Sequence, residues 1–244
     1  MVIELSSKIG YINQIFSYLF GFIFVHNTIY NLYPFEYHTF KNKTKNIVES
    51  FNILTNIVCC TNFCIIIYEL KDSDTISKIN SVTSNSIFAF QLLCANLIYE
   101  SIYYFIVLKR KDNLVLGHHI YTIITIATNL IYHKLHYISS MMALVEVTNI
   151  FLSSSYIVKR NNLSYYLLIP NGLMLLLTFI SFRIFFIPYI FYEATKDFLV
   201  IINDCPVLYL NGLFVIILIW CMSVMWFKRI FEIVDHDIKN YKVE

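Results

Sequence analysis

The chain has 244 residues, of which 58% are apolar and only 14% are charged, with 21 Phe and 19 Tyr, and its mean hydropathy is +0.63. A soluble domain carries about 25% charged residues, so most of the surface of this chain faces lipid. This excludes a disordered tail, a secreted disulfide scaffold and an ordinary cytosolic enzyme. The net charge of +2 is too small for a nucleic-acid partner.

The six cysteines fit a membrane chain. Five of them lie in apolar stretches, where a thiol serves as a small apolar side chain, and only Cys205 lies in a polar connection. No disulfide framework is therefore expected. Cys60 and Cys64 lack a neighbouring set of His or Cys residues that would complete a zinc site, so we predict no metal and no cofactor.

Seven apolar stretches have about the 20 residues that a helix needs to cross the hydrocarbon core. They run near Tyr11 to Tyr33, Phe51 to Leu70, Ser86 to Leu108, Asn113 to Tyr132, Tyr137 to Val158, Tyr165 to Tyr189 and Val207 to Phe227. They predict an all-α, multi-pass transmembrane bundle. Pro188 is expected to kink or end the sixth stretch.

The basic residues support this partition. With seven spans the connections alternate between two sides, and 12 Lys or Arg residues fall on one side against 5 on the other, with Arg183 alone inside a span. By the positive-inside rule the C-terminus is cytosolic and the N-terminus is lumenal or external. We expect a first span and cytosolic loop over 1–50, a membrane domain over 51–228 and a cytosolic tail over 229–244.

Ionisable residues inside the spans are the main functional signal, because at bilayer depth such groups usually face a bundle interior or a cavity. At about 1.5 Å per residue, His118 lies roughly 10 Å below the cytosolic boundary, whereas Glu146 and Arg183 lie roughly 14 Å and 9 Å from the opposite one. Asn149 and Asn171 are polar companions. The ionisable residues that we single out are Glu100, His118, His119, Glu146 and Arg183.

Glu146 and Arg183 are close enough in depth to pair. Their pairing is either a structural ion pair between spans five and six or part of a binding or chemical site. Alternatively, Arg183 extends to the lumenal interface and leaves Glu146 to another partner.

His118 and His119 point about 100° apart on a helix, so they cannot fill one hole together. An adjacent pair indicates a polar cavity or a relay more than a single structural histidine does. Asp112 lies seven residues before His119, two turns away on the same face, and is a candidate to orient that imidazole through water.

Three motifs on successive spans resemble the TLC domain family, which includes translocon-associated proteins, ceramide synthases and other lipid-related membrane proteins. The first is Gly117-His118-His119, the second is Glu146-Val147-Thr148, and the third is Asn171-Gly172-Leu173 followed by Arg183 and Pro188-Tyr189. The resemblance covers about Phe51 to Lys228. It implies a six-helix barrel around a lipid-accessible cavity, usually in the endoplasmic reticulum.

In ceramide synthases the matching His pair serves acyl transfer from acyl-CoA to a sphingoid amine, with acidic residues on the following span. Those enzymes have a His-Asp-x-x-Asp pattern where this chain has Val145-Glu146-Val147-Thr148-Asn149. One acid is thus kept as Glu146, but Asn149 replaces the other and cannot take up a proton. The chain therefore resembles the non-synthase branch more closely.

Two hypotheses remain. The preferred one is a membrane protein that binds, senses or alters membrane lipids, with Asp112, Asn149, Asn171 and Arg183 as candidate substrate-binding residues. The alternative is an acyltransferase that uses acyl-CoA as co-substrate and His118, His119 and Glu146 as catalytic residues. A seven-span receptor fits the topology, but such receptors have an Asp/Glu-Arg-Tyr motif after span three, where this chain has Lys109-Arg110-Lys111.

Overall fold

The computed structural model describes residues 2–32 and 39–241, without the side chains of residues 2–8, 165, 233 and 236–241. Within this part the chain forms only helices. The α-helices are α1 (Val2–Leu32), α2 (Phe40–Leu70), α3 (Thr75–Asn80), α4 (Ser84–Ser101), α5 (Asn113–Tyr132), α6 (His136–Ala143), α7 (Val147–Arg160), α8 (Tyr165–Thr178), α9 (Ile187–Thr195), α10 (Phe198–Asp204) and α11 (Pro206–Tyr241). The expected end of the first stretch, Tyr33, lies outside the described residues.

Seven helical runs in the described chain are long and apolar enough to cross a membrane. They are span 1 (Ile9–Leu32), span 2 (Phe40–Leu70), span 3 (Ser84–Val107), span 4 (Asn113–Tyr132), span 5 (His136–Arg160), span 6 (Tyr166–Thr195) and span 7 (Pro206–Glu232). The prediction of an all-α, multi-pass bundle is confirmed. The main difference is span 2, whose helix begins at Phe40 behind the N-cap Thr39 rather than at Phe51.

Spans 2 to 7 close into a ring. Each packs against two neighbours, in the order span 2, span 3, span 4, span 7, span 6, span 5 and back to span 2. Span 1 lies outside the ring against span 3. There Gln91 Nε2 donates to Gln14 Oε1 over 2.7 Å, and His26 Nδ1 and the Tyr99 hydroxyl are hydrogen-bonded at 2.6 Å.

The connections meet in two groups at opposite ends of the ring. At the end that we call the basic end, Asn46 Nδ2 of span 2 donates to Asn161 Oδ1 after span 5 over 2.8 Å. At the other end, the Leu135 amide donates to the Ile79 carbonyl over 2.7 Å and Lys134 pairs with Asp204 at 2.5 Å. Each group contains only connections that the basic-residue count assigns to one side.

Three spans depart from α-helical geometry. Span 3 ends in a π-helical segment (Ile102–Val107), span 5 is interrupted by a 3₁₀ turn (Leu144–Glu146), and span 6 contains a π-helical segment (Phe179–Phe186). Pro188 lies in the first turn of α9, where its missing N–H is tolerated. Span 6 therefore continues to Thr195 and does not end at Pro188.

Ser86 lies at the end of the ring opposite the basic end, and its substitution tests what holds that end together. Its side chain is fully buried, completes a capping box with Thr83 and lies 2.7 Å from His136 Nδ1. We expect Ser86→Ala to lower the free energy of unfolding by about 1–3 kcal/mol, because it leaves buried polar groups without partners. Ser84→Ala, at an exposed site in the same turn, is the control. Equal stabilities of the two variants in detergent unfolding would contradict this account.

Candidate functional site

A polar cavity of about 220 Å³ lies inside the ring, and every span of the ring contributes to its wall. It contains all five ionisable residues that sequence reasoning found inside the spans. Its wall also includes Asp112 and Asn149. The structure thus brings together groups that simple depth estimates had placed near opposite boundaries.

His119 is held on both sides by consecutive residues of span 3. Its Nδ1 lies 3.0 Å from the Ser101 hydroxyl, and its Nε2 lies 4.0 Å from Glu100 Oε2. The imidazole is buried, whereas the Glu100 side chain is 15% exposed into the cavity. The Ser101 hydroxyl therefore orients the ring by a hydrogen bond, and the Glu100 carboxyl lies on the other side of the ring, where it also lines the cavity.

The direct partners of Asp112 in the structure are other groups than His119. Asp112 is the N-cap of α5, where its side chain accepts from the Val115 amide, and it pairs with Arg110 at 3.2 Å. Short polar side chains favour this position because they satisfy otherwise unpaired helix amides. Asp112 does line the polar cavity, but at the basic end.

His118 lines the same cavity by a different route. Its Nδ1 lies 3.5 Å from the Thr122 hydroxyl, one turn along the helix, and its ring meets the Trp226 indole edge-to-face at 6.1 Å. It is more exposed than His119. The two imidazoles thus have distinct partners, as their helical spacing requires.

Arg183 and Glu146 form the predicted pair, with 3.8 Å between Arg183 Nη2 and Glu146 Oε2. Arg183 also donates from Nε to the Thr148 hydroxyl over 2.8 Å and from Nη2 to Asn149 Oδ1 over 3.3 Å. Asn149 in turn donates to Glu146. Arg183 is 3% exposed, so the alternative in which it extends to an interface is wrong.

A second buried carboxyl, Glu49, lines the cavity from span 2. It accepts from the Tyr104 hydroxyl and lies 3.9 Å from Arg160 Nη2. Sequence reasoning missed Glu49 because span 2 was expected to begin at Phe51. It missed Tyr104 because an aromatic residue near a span end is also typical of the membrane interface.

Asn171 lies apart from the polar cavity. Its Nδ2 donates to the Phe151 carbonyl over 2.8 Å and to the Ser155 hydroxyl over 2.5 Å. These bonds join span 6 to span 5. Asn171 is thus the one candidate substrate-binding residue that the structure places outside the cavity wall.

An apolar cavity of about 70 Å³ lies in the other half of the ring. Its wall is mainly Leu, Ile, Val and Met side chains, and it reaches toward the end opposite the basic one, where Leu135 and Tyr209 line it. Leu97 and Glu146 line both cavities. The ring interior therefore changes from polar to apolar at Glu146.

The family comparison agrees with this architecture. A family model described as the TLC domain matches residues 9–232. The chain belongs to the TLC domain family. No curated protein matches it significantly. In this TLC domain protein the family match also includes span 1, although span 1 lies outside the six-span ring.

The Glu146–Arg183 pair gives a stability prediction for the TLC domain. Glu146→Leu leaves the Arg183 charge buried without its carboxylate, and we expect the free energy of unfolding to fall by about 3–5 kcal/mol. Adding Arg183→Met removes the stranded charge and should restore part of this loss. Detergent unfolding curves measure both variants.

Glu232→Leu is the control, because Glu232 pairs with Lys228 at 4.0 Å on an exposed helix face. Exposed pairs contribute at most about 1 kcal/mol. An Arg183→Met addition that destabilises the Glu146→Leu protein further would show that the two side chains do not act as a pair.

Proposed function

We propose that this protein binds a membrane lipid inside the ring, with the polar part of the lipid in the polar cavity and the adjoining methylene groups of an acyl chain in the apolar cavity. The observation that carries the proposal is the division of one interior into two halves that meet at Glu146 and Leu97. A ligand that is polar throughout would gain nothing from the apolar half. An entirely apolar ligand would displace water from the polar half without replacing the hydrogen bonds that the water makes.

The polar half offers both kinds of hydrogen-bonding group. Arg183 is a hydrogen-bond donor in the interior part of the polar cavity, and Arg110 and Arg229 are donors at the basic end. Glu100 and Glu49 supply acceptors between them. Such a set suits a head group with both hydroxyl or amine donors and oxygen acceptors.

We also propose that the basic end is cytosolic and that the protein resides in the endoplasmic reticulum. The orientation is supported by the 12 to 5 division of basic residues between the two sides. The compartment is supported by membership of the TLC domain family. In this orientation the polar cavity faces the cytosolic leaflet.

Gly212 gives a direct test of lipid binding. It lines the apolar cavity, and no heavy atom lies within 4 Å of a Cβ built there, so Gly212→Leu places its side chain in open space. We expect about tenfold less co-purified lipid, because overpacking of a filled site costs about 1–3 kcal/mol. Mass spectrometry of lipid extracted from the purified protein measures the change.

Gly117→Leu is the matched control. Gly117 is also free of atoms within 4 Å of a built Cβ, but it is exposed and lines neither cavity. Both variants should fold and span the membrane alike. If Gly212→Leu retains as much lipid as Gly117→Leu, the lipid does not occupy the apolar cavity.

A second candidate function is acyl transfer from acyl-CoA to an amine, and the His119–Glu100 contact favours it. In this reaction the amine nitrogen attacks the acyl carbonyl, His119 takes up the proton that the nitrogen loses, and the thiolate of coenzyme A leaves and is protonated. Asn149 cannot act as the second acid. Glu100 supplies a carboxyl on span 3 instead, 4.0 Å from His119 Nε2.

The acyl-transfer hypothesis is tested in membranes that lack endogenous ceramide synthase, supplied with acyl-CoA and a sphingoid base. If it holds, His119→Ala and Glu100→Gln each lower product formation by about 10²–10⁴-fold, the usual contribution of general acid–base catalysis. Glu69→Gln, at an exposed site on span 2, should leave the rate unchanged. If no product forms while lipid still binds to the purified protein, acyl transfer is excluded and lipid binding remains as the proposed function.

A further inference from the structure

We propose that a groove on the outer surface of the ring binds an anionic phospholipid from the leaflet at the basic end. This outer groove has a volume of about 580 Å³ and lies between spans 1, 2 and 5. It is separate from the ring interior and shares no lining residue with either interior cavity. Its lining residues are Ile29, Lys43, Asn46, Ile47, Ser50, Phe51, Leu54, Ile157, Asn161 and Leu163.

The outer groove is amphipathic along the membrane normal. Span 2 has 31 residues, or about 45 Å of helix, whereas the hydrocarbon core is about 30 Å thick. Its first turns therefore reach the head-group region at the basic end, and these turns carry Lys43, Asn46 and Ser50. Deeper along the same helix, Leu54 is 59% exposed and forms an apolar wall.

Charge indicates the kind of head group. Within 40–51 and 157–163, the two segments that build most of the outer groove, there are five basic residues and one acidic residue. The acidic residue, Glu49, is buried toward the ring interior, where it accepts from Tyr104. None of the described residues that line the outer groove is acidic. The basic residues are Lys41, Lys43, Lys45, Lys159 and Arg160.

The polar lining is already ordered by contacts within the protein. Arg160 Nη1 donates to Asn46 Oδ1 over 2.7 Å, and Asn46 Nδ2 donates to Asn161 Oδ1 over 2.8 Å. The ammonium of Lys43 donates to the Tyr30 carbonyl and lies 4.1 Å from the centre of the Tyr30 ring. The charges of Lys43, which lines the groove, and of Arg160, which contacts the lining residue Asn46, are thus held at the groove. A basic pocket between membrane helices is the arrangement that binds anionic head groups.

Ser50 allows a test in which charge alone differs. It is exposed, lines the outer groove and donates only to the Asn46 carbonyl of its own helix. Ser50→Glu and Ser50→Gln both remove that bond and add similar volume, but only Glu adds a negative charge. Purified protein is mixed with equal amounts of phosphatidylglycerol and phosphatidylcholine of the same acyl chains, and bound lipid is counted by native mass spectrometry.

We expect the unmodified protein and Ser50→Gln to retain phosphatidylglycerol over phosphatidylcholine by about fivefold or more, the effect of one nearby basic residue. Ser50→Glu should abolish this preference. Leu54→Trp, which fills the apolar wall, should reduce retention of both lipids, whereas Ile57→Trp, at an exposed site on the same helix outside the groove, should not.

Three results would overturn the proposal. One is equal retention of the two lipids by the unmodified protein. Another is a preference that is the same in Ser50→Glu and Ser50→Gln. The third is a preference that survives both Ser50→Glu and Leu54→Trp but is lost in Gly212→Leu, since the anionic lipid would then lie in the ring interior.

Discussion

The ring interior is organised around one buried cation, Arg183. The hydrocarbon core of a bilayer offers no hydrogen bonds, and a charge at that depth costs at least a few kcal/mol unless it finds partners inside the protein. Arg183 finds its hydrogen-bond and ion-pair partners on span 5, in Glu146, Thr148 and Asn149. These contacts join spans 5 and 6 and set the depth at which the polar half of the ring interior lies. The apolar half begins on the other side of the same carboxylate.

The 3₁₀ and π-helical segments explain how these spans direct their polar side chains into the cavity. Glu146 is the last residue of the 3₁₀ turn in span 5, and Arg183 lies in the π-helical segment of span 6. Each turn changes the rotation of the helix, so the side chain points inward while the flanking apolar residues continue to face lipid or the core. Tyr104 lies in the other π-helical segment and faces the cavity in the same way. Such segments are frequent at functional sites.

Much of this architecture can be predicted from the sequence, because in a membrane the apolar length of a helix and the sign of its flanking charges are direct physical constraints. Hydropathy locates the seven spans, and burial cost selects Glu100, His118, His119, Glu146 and Arg183, all of which line one cavity. The partner of His119 could not be predicted in this way. Helical spacing favoured Asp112, whereas Ser101 and Glu100 come from a neighbouring span, and only tertiary packing determines which spans are neighbours.

Glu49 and Arg160 lie just outside the spans expected from hydropathy, where sequence alone suggests a solvated charge. In the fold, Arg160 connects the two lipid sites that we propose. Its Nη1 reaches Asn46 in the outer groove, and its Nη2 lies 3.9 Å from Glu49 in the polar cavity.

An anionic head group near Asn46 would compete with Glu49 for the guanidinium of Arg160. A weaker hold on Glu49 would leave its carboxyl freer to accept from a ligand inside the ring. Linkage requires the effect to be reciprocal, so a ligand that occupies Glu49 would release Arg160 toward the outer groove. One arginine shared between Glu49 and the outer groove would thus couple the lipid composition of the leaflet to the occupancy of the interior.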